Sequence, residues 1–479
     1  MSAAHFAILT PHATTALVFP ASIDGMTDLL PLMRAEKAEF EAVLGTEVTF
    51  VDEPPAHGPS WRVEIDPALP HNALTFDRAA LTLTSRVRDI DGFMTSLNLL
   101  HALAARRVDA ITDAPAATLP EAAARVAVEV GGSFPGFGIR HTSWETICAR
   151  HDMPRESDLS FADVERWIAD LDDAHTAIRR PGGAYNPPYV VEMTPRAATF
   201  RRVPADSAAF AAGVRSGWTL DDVDGADWLS RTGAPPHAKP WTTGRRAIAL
   251  NDVPERAFSA TGPVGEAASW VERPVAPTLE RVFSWTALDG RTGYLRLANW
   301  FTGIGLEDAF DAALTELRGC ERLVLDLQGN TGGNLVLATQ TRDRFLRERT
   351  RLGSIQFSTG DGRLADPVPM WAEPSADHVR WDGELIVLTD PLTYSASEDF
   401  LLGLQGLPHV TVIGRRSGGG SGRPRTVTLT DDMLITISTA LTFDRNGVCV
   451  ENHGVPVDIE TAVFAGEANP ALEGALRGV

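Results

Sequence analysis

The stretch Thr393-Tyr394-Ser395-Ala396-Ser397-Glu398-Asp399-Phe400 places a small hydroxyl side chain where a predicted strand is followed by a predicted helix. Residues 384–390 are apolar and β-branched over the length of a strand, and residues 399–404 follow a helical period. A serine that opens a helix lies where unpaired backbone N–H groups and the positive end of the helix dipole collect. Ser395 is therefore a candidate nucleophile, because such a helix start stabilises the oxyanion that acyl transfer generates.

The composition is that of a folded, acidic protein with several domains. With 479 residues, 44% of them apolar, the chain is too long for one core and predicts about two to four domains. A formal charge of −20 argues against a nucleic-acid surface, which needs clustered basic side chains. The sequence has neither a signal-peptide pattern nor an apolar run of about eighteen residues, so we expect no membrane insertion and a cytoplasmic location.

Four segments with different patterns predict the domain organisation. Residues 1–130 mix strand-like and helical runs and predict an N-terminal accessory α/β domain. Residues 131–184 predict a helical segment, with a capping-box start at Ser160. Residues 276–479 alternate strands and helices, which implies crossover connections and a largely parallel sheet. The predicted fold class is multidomain α/β.

The remaining segment, residues 185–275, contains a distinctive run from Val203 to Leu220. In this run a short helix is predicted to end at Ala212-Gly213, and a strand is predicted to follow Gly217. The pattern resembles a PDZ domain of the bacterial protease type. Such domains bind extended peptides by adding a strand to the edge of a sheet.

Two glycine-rich segments are candidates for backbone anion sites. Gln328-Gly329-Asn330-Thr331-Gly332-Gly333 follows a buried strand, and its backbone N–H groups suit either a phosphate cradle or an oxyanion hole. A phosphate cradle needs a Lys-Ser/Thr pair, which is absent. The same test excludes a phosphate site at Ser417-Gly418-Gly419-Gly420-Ser421-Gly422, which we interpret as a mobile substrate loop.

Three segments taken together resemble a known family. Gly293-Tyr294-Leu295-Arg296-Leu297, residues 325–333 and Ser395-Ala396-Ser397-Glu398 are similar, in this order, to the C-terminal-processing and tricorn-type serine peptidases, the tail-specific protease family. The resemblance implies a catalytic core of crotonase-like type, with a mixed, largely parallel sheet and helices. It also implies that Ser395 is the nucleophile and that the backbone N–H of Ala396 and a glycine of the pair Gly332-Gly333 form the oxyanion hole.

The scarcity of lysine decides between two branches of this family. One branch activates the serine with a lysine on the glycine-rich loop, but Lys37 and Lys239 are the only lysines in the chain. Arginine cannot act as the base, since its guanidinium stays protonated. The resemblance therefore favours the branch that uses histidine and glutamate, and the segment around Glu451 resembles the acidic motif of tricorn-like members. The tricorn base would stand on the Gly-Tyr strand, where this chain has Leu295 and Arg296.

Two histidines are candidate bases. His175 is preferred, because some histidine-using relatives take their base from a segment similar to residues 172–176. His453 is the alternative, because in an extended chain it shares one face with Glu451. In either case Glu451 would orient the imidazole. No metal or cofactor is predicted: His141, Cys148 and His151 lack a fourth ligand at zinc-site spacing.

The predicted function is that of a serine peptidase that cleaves peptides or unfolded protein C-termini through an acyl-enzyme. Its partner is a peptide or unfolded protein, with no nucleic acid and no membrane, and oligomer formation is compatible with the sequence. One alternative is a catalytically inactive ligand- or peptide-binding homologue on the same scaffold, since both the lysine and the strand histidine are missing. The other is a hydrolase or transacylase of small acyl substrates.

Overall fold

The computed structural model describes residues 15–18, 26–51, 57–151, 166–179, 186–194, 197–228, 248–250, 253–359, 363–462 and 468–477. The chain divides into two compact units. Unit 1 contains residues 1–181, 355–368 and 422–441, and unit 2 contains residues 182–354, 369–421 and 442–479. Each unit has its own sheets and its own buried cores.

The first sheet of unit 1 is mixed and has six strands in the order β2-β1-β3-β5-β4-β6. The elements are β1 Thr15–Val18, α1 Met26–Leu44, β2 Val48–Val51, β3 Ser60–Ile65, β4 Ala73–Asp77, β5 Thr82–Val87, α2 Ile90–Arg106 and β6 Ala110–Thr112. Strands β1, β2, β3 and β5 pair in parallel, whereas β4 is antiparallel to β5 and β6. Asp89 starts α2, since its side chain accepts the N–H of Gly92. This segment contains both helices and strands, and the accessory domain over residues 1–130 stays a prediction.

The rest of unit 1 packs helices on a small antiparallel sheet with the order β21-β22-β7. Its elements are α3 Leu119–Ser133, a 3₁₀ turn Pro135–Phe137, α4 Trp144–Arg150, β7 Ala177–Arg179, β21 Arg425–Thr430 and β22 Met433–Ile437. Val130, Ile147, Leu171 and Ile435 share its buried core. Residues 166–169 are helical, and the predicted helix start at Ser160 lies outside the described residues.

Unit 2 begins with an antiparallel sheet in the order β13-β12-β10-β9-β8, with β11 paired to β10. Its elements are β8 Val190–Met193, β9 Ala198–Arg202, α5 Ala208–Ala211, β10 Thr219–Val223, β11 Ala226–Asp227, β12 Arg256–Thr261 and β13 Ala267–Glu272. Ser207 caps the short helix α5, and Gly213 ends it with a φ of 97° that favours glycine. Strand β10 follows Gly217, as the sequence pattern predicted.

The main sheet of unit 2 has the order β14-β15-β16-β19-β20-β24, and only the β14–β15 pair is antiparallel. The elements are α6 Leu279–Val282, β14 Phe283–Ala287, β15 Thr292–Leu297, α7 Leu306–Glu316, a 3₁₀ turn Leu317–Gly319, β16 Arg322–Asp326, α8 Leu335–Asp343, β19 Glu384–Thr389, α9 Ala396–Leu404, β20 Val410–Gly414, β24 Ile459–Glu460 and α10 Pro470–Arg477. Parallel strands end at one edge of a sheet, so the segments after β16, β19 and β20 gather there. This edge carries the candidate site.

Three further strands include the residues at which the chain passes from one unit to the other. They are β17 Thr350–Phe357, β18 Val368–Ala372 and β23 Ala440–Asp444. The whole is a mixed α/β, multidomain protein with parallel and antiparallel sheets, as predicted. None of the helices in the described part of the chain is long and apolar enough to cross a bilayer.

Candidate active site

Ser395 lies on a sharp turn between β19 and α9. Its backbone has a φ of 60° and a ψ of −124°, a strained conformation for any residue other than glycine. In the buried run of residues 392–404, Ser395 is the one residue that keeps partial solvent exposure. A serine held in this way on a strand-to-helix turn presents its hydroxyl at the surface of the sheet edge.

The turn after β16 lies directly against Ser395. A Cβ atom added to Gly332 would come within 2.7 Å of the Ser395 Cβ and 3.1 Å of the Ala396 nitrogen. The φ of Gly332 is 99°, so this position requires glycine both for its backbone conformation and for the close approach. The predicted proximity of Gly332 to Ser395 and Ala396 is present in the structure.

The backbone N–H groups near Ser395 differ in their partners. The Gly332 N–H donates to Oδ1 of Asn330 at 3.0 Å. Among the residues that the structure describes, the N–H groups of Gly333 and Ala396 donate to no protein acceptor. These two N–H groups are therefore the donors available for an incoming oxygen. The sequence alone could not show that the Gly332 N–H is already engaged whereas the Gly333 N–H is not.

A buried polar network fixes the Gly332 turn to the start of α9. The fully buried Asn330 accepts the Tyr394 N–H and the Ser397 hydroxyl at its carbonyl, and its side chain donates to the Leu297 carbonyl. The Trp300 indole donates to Ser397 Oγ at 3.0 Å. Sequence analysis did not assign roles to Asn330 or Trp300. Their contacts connect residues up to 97 positions apart, and no local pattern reveals them.

Glu398 connects the turn at Ser395 to the glycine-rich segment of residues 417–422. Its carboxyl accepts the Ser395 N–H, the Ser417 hydroxyl at 2.5 Å and the N–H groups of Gly419 and Gly420 at 2.8 and 2.7 Å. Glu398 is fully buried, and burial raises the pKa of its carboxyl to about 8 in spite of these hydrogen bonds. The sequence analysis includes Glu398 in the serine motif but predicts no role for it.

The glycine-rich segment differs from the mobile loop expected from its composition. Ser417 and Ser421 are 6% and 4% exposed, and their hydroxyls donate to Glu398 and Asp399. A Cβ added to Gly420 would overlap the Tyr394 hydroxyl, and one added to Gly418 would lie 2.7 Å from Cδ2 of that ring. The glycines therefore serve close packing on Tyr394.

Glu451 and His453 also lie in unit 2, on a turn beside the glycine-rich segment. The Asn452 N–H donates to the Gly419 carbonyl at 3.0 Å, and the φ of Asn452 is 65°. This left-handed residue reverses the chain, so residues 451–453 are not extended and the expectation that Glu451 and His453 share a strand face is wrong. Glu451 is buried, whereas His453 is exposed and its Nδ1 contacts the Glu451 carbonyl at 3.1 Å.

His175 belongs to unit 1, where it follows the helical turn of residues 166–169 and is 8% exposed. The Asp173 carboxylate accepts the His175 N–H, and the Thr436 hydroxyl donates to the His175 carbonyl. Ser395, Ala396, Gly332, Gly333 and Glu451 belong to unit 2. No cluster of three or more metal-ligating side chains occurs in the described part of the chain.

The comparisons with known proteins agree with this geometry. Residues 291–461 match the sequence model of Peptidase family S41. This part of the chain is a peptidase S41 domain. The chain is also 28% identical over 186 residues to the carboxy-terminal-processing protease of Bartonella bacilliformis, a match that covers 36% of this chain and 39% of that protein. The aligned region thus spans well under half of that relative.

Solved structures extend the likeness beyond the S41 domain. The photosystem II D1 C-terminal processing protease matches with a TM-score of 0.52 and 19% identity, over 75% of this chain and 97% of that one. Mature CPAF matches with a TM-score of 0.53 and 14% identity, over 71% of this chain and 92% of that one. At these identities the likeness shows a shared fold. The S41 domain contains Ser395, Gly332, Gly333 and Glu451, whereas His175 precedes it.

Proposed function

We propose that the chain is a serine peptidase that cleaves peptides or unfolded protein C-termini through an acyl-enzyme formed on Ser395. The observation that carries this proposal is the strained turn that leaves Ser395 partly exposed within a buried run, beside the glycine turn of the S41 domain. The substrate class is supported by the names of two relatives, both of them C-terminal processing proteases.

In the proposed mechanism, the Ser395 hydroxyl attacks the scissile carbonyl and His175 takes its proton. His175 then gives this proton to the leaving amine, and Glu451 orients the imidazole and stabilises its cationic form. The N–H groups of Ala396 and Gly333 hold the oxyanion, each donor contributing about 3 kcal/mol. Water then hydrolyses the acyl-enzyme by the same steps in reverse order.

His175 is preferred to His453 on burial and on partners. His175 is 8% exposed and its backbone is fixed by hydrogen bonds on both sides, which suits a base that must hold one orientation. His453 is exposed on a turn, with Nδ1 against a carbonyl of its own turn. The proposal therefore keeps His453 as the alternative base only.

We further propose that residues 185–275 form a PDZ-like domain that binds an extended peptide, and that the S41 core is of crotonase-like type. Support for the PDZ-like domain comes from its antiparallel sheet and from the capped helix α5, which ends at Gly213. Strand β8 is an edge strand of that sheet and offers a backbone to which a peptide strand can pair. A cytoplasmic location remains part of the proposal.

A fluorophosphonate probe and an unstructured peptide test the nucleophile. Wild type should be labelled and should cleave the peptide, and Ser395→Ala should do neither. Ser284→Ala is the control, since it removes an exposed serine hydroxyl of β14 in the same unit, and it should still be labelled. Labelling that persists in Ser395→Ala would refute the assignment. A wild-type protein that neither labels nor cleaves would instead support the non-catalytic binder.

The same assay tests the base. His175→Ala should lose at least about a thousandfold in kcat, because a serine hydroxyl is almost entirely protonated at neutral pH. His453→Ala should stay within a few-fold of wild type. The reverse result would transfer the role of base to His453.

A further inference from the structure

The segment that carries His175 is held by one buried carboxylate. Oδ1 of Asp173 accepts the His175 N–H at 3.2 Å, and Oδ2 accepts both the N–H and the hydroxyl of Thr176, at 3.1 and 2.6 Å. Ser438 adds a fourth donor, since its hydroxyl lies 2.7 Å from Oδ2. Because Thr436 also donates to the His175 carbonyl at 2.5 Å, the peptide units around His175 are fixed from both sides.

Asp173 acts on His175 through its charge as well as through its hydrogen bonds. Asp173 is 8% exposed. Burial alone would raise the pKa of its carboxyl, but the charge of His175 and then that of Arg140, together with the Thr176 and Ser438 hydrogen bonds, hold the pKa below its ordinary value. Arg140 donates to the neighbouring carbonyl of Asp172 at 3.0 Å. The charged groups that act on this carboxylate are thus His175 and Arg140.

The imidazole of His175 is confined by a glycine of unit 1. A Cβ added to Gly422 would lie 3.3 Å from Nδ1 of His175 and would overlap the Ser438 hydroxyl. Gly422 therefore leaves room for the ring and for the Ser438–Asp173 hydrogen bond at the same time. Nδ1 of His175 and the Ser438 hydroxyl thus both lie beside Gly422, and the same hydroxyl donates to Asp173.

A purely structural role for Asp173 is not the simplest interpretation. A neutral Asn could also accept hydrogen bonds at such a turn, whereas burying a carboxylate costs several kcal/mol unless it is paired. The cost is offset here by the four donated hydrogen bonds, by the permanent charge of Arg140 and, once the imidazole holds a proton, by the charge of His175. A retained buried charge next to a titratable imidazole is the arrangement that stabilises an imidazolium.

We propose that Asp173 is a positioning residue for His175, which fixes the backbone of the histidine and stabilises its protonated form during the reaction. This inference rests on the proposed function, in which His175 is the base. It adds a second carboxylate, from the same segment as the histidine, to the orienting role proposed for Glu451. Its charge acts through His175 and not on the substrate.

The test compares Asp173→Asn with Asp170→Asn in steady-state peptide cleavage across a range of pH. Asp170, three residues before Asp173, is the matched control, because its side chain is 5% exposed and its carboxylate binds His151. Asp173→Asn should lower kcat about a hundredfold with KM nearly unchanged, as orienting residues of this kind do. The acid limb of the kcat profile should move to lower pH by about one unit, since the imidazolium loses a neighbouring charge. Asp170→Asn should change neither.

A titration of the His175 imidazole by NMR, in the Ser395→Ala background, gives a second measurement that does not depend on turnover. The pKa of His175 should fall in Asp173→Asn and stay constant in Asp170→Asn. If Asp173→Asn does not fold, Ser438→Ala replaces it. That variant removes one hydrogen-bond donor to Asp173. It should lower kcat, as Asp173→Asn does, but only about fivefold.

The outcomes separate this inference from the proposed function. Asp173→Asn could have the same kcat, pH profile and His175 titration as wild type while His175→Ala is inactive. That result would overturn the role of Asp173 and leave the assignments of the nucleophile and the base intact. Full activity in His175→Ala would overturn both the base and this inference while Ser395 stands. A wild type that neither labels nor cleaves would overturn the proposed function and the inference with it.

Discussion

Gly332 shows how a single missing side chain shapes the site. Its Cα lies so near Ser395 that a methyl group would come within 2.7 Å of the Ser395 Cβ and 2.8 Å of the Tyr394 carbonyl oxygen. A Gly332→Ala substitution should therefore displace the turn or Ser395, because both contacts are shorter than real Cβ contacts. We expect kcat for peptide cleavage to fall at least about a hundredfold.

The control for Gly332→Ala is Gly303→Ala. Gly303 also has a positive φ, of 75°, but a Cβ added there meets no atom within 4 Å. Gly303→Ala should therefore cost stability through backbone strain of about 1 kcal/mol and leave kcat unchanged. Equal losses of kcat in the two variants would mean that strain, and not contact with Ser395, explains the effect.

At the scale of single residues, residue type and spacing in the sequence indicated candidate site positions. Ser395 follows a strand and opens a helix, and the Gly332-Gly333 pair follows another strand, so both could be identified without coordinates. Asn330, Trp300 and Glu398 support these residues through contacts between distant segments. The sequence contains those residues but not the pairing of β16 with β19 in register that brings them together.

The start of α9 and the segment after β20 behave as one element because Glu398 bonds to both. Burial raises the pKa of this carboxyl from an ordinary 4.5 to about 8. Between these values the folded protein holds a proton that the unfolded chain releases, so the stability contributed by the neutral carboxyl is lost as pH rises.

The melting temperature of wild type should consequently fall by roughly 5 °C from about pH 5 to about pH 8 through this group. Glu398→Gln removes the titrating proton, and its melting temperature should depend less steeply on pH over the same range. Differential scanning calorimetry of the two proteins measures both slopes. Parallel curves would mean that Glu398 does not titrate in this range.

Elements with a clear period were predictable, and elements defined by their partners were not. A strand over residues 384–390 and a helix over residues 399–404 were expected, and the structure has β19 at Glu384–Thr389 and α9 at Ala396–Leu404. The glycine-rich segment was expected to be mobile, because its composition permits many conformations. Its structure comes from Tyr394 and Glu398, which precede it by about twenty residues, and composition alone does not reveal such partners.

On the scale of the whole molecule, unit 1 depends on buried charges for its organisation. Arg425 on β21 donates to Glu129 and Ser133 on α3, at 2.6 and 2.8 Å, and the side chains of Arg425 and Glu129 are 2% and 0% exposed. Glu129 also binds Arg106 of α2 at 2.7 Å. One carboxylate thus connects the consecutive helices α2 and α3 to a strand residue that lies 296 positions later in the chain.

Glu129→Gln should destabilise unit 1 by about 3–5 kcal/mol, because it leaves two guanidinium groups without their partner. Hydrogen exchange measured by mass spectrometry should show faster exchange in β21, β22 and α3. The control is Glu321→Gln, which breaks an ion pair with Arg291. The two side chains are 61% and 71% exposed, so the free energy of unfolding should stay nearly unchanged. Similar costs for both variants would contradict the role of burial.

The close packing of the glycine-rich segment on Tyr394 also limits how this chain could change its catalytic chemistry. A lysine at position 418 or 420 would begin with a Cβ that collides with Tyr394, and Ser417 and Ser421 are already committed to Glu398 and Asp399. No single substitution in these positions can therefore bring an amine to Ser395 without rebuilding its surroundings. In the proposed mechanism, exchange of the histidine base for a lysine at either of these two positions would therefore also require a change at Tyr394.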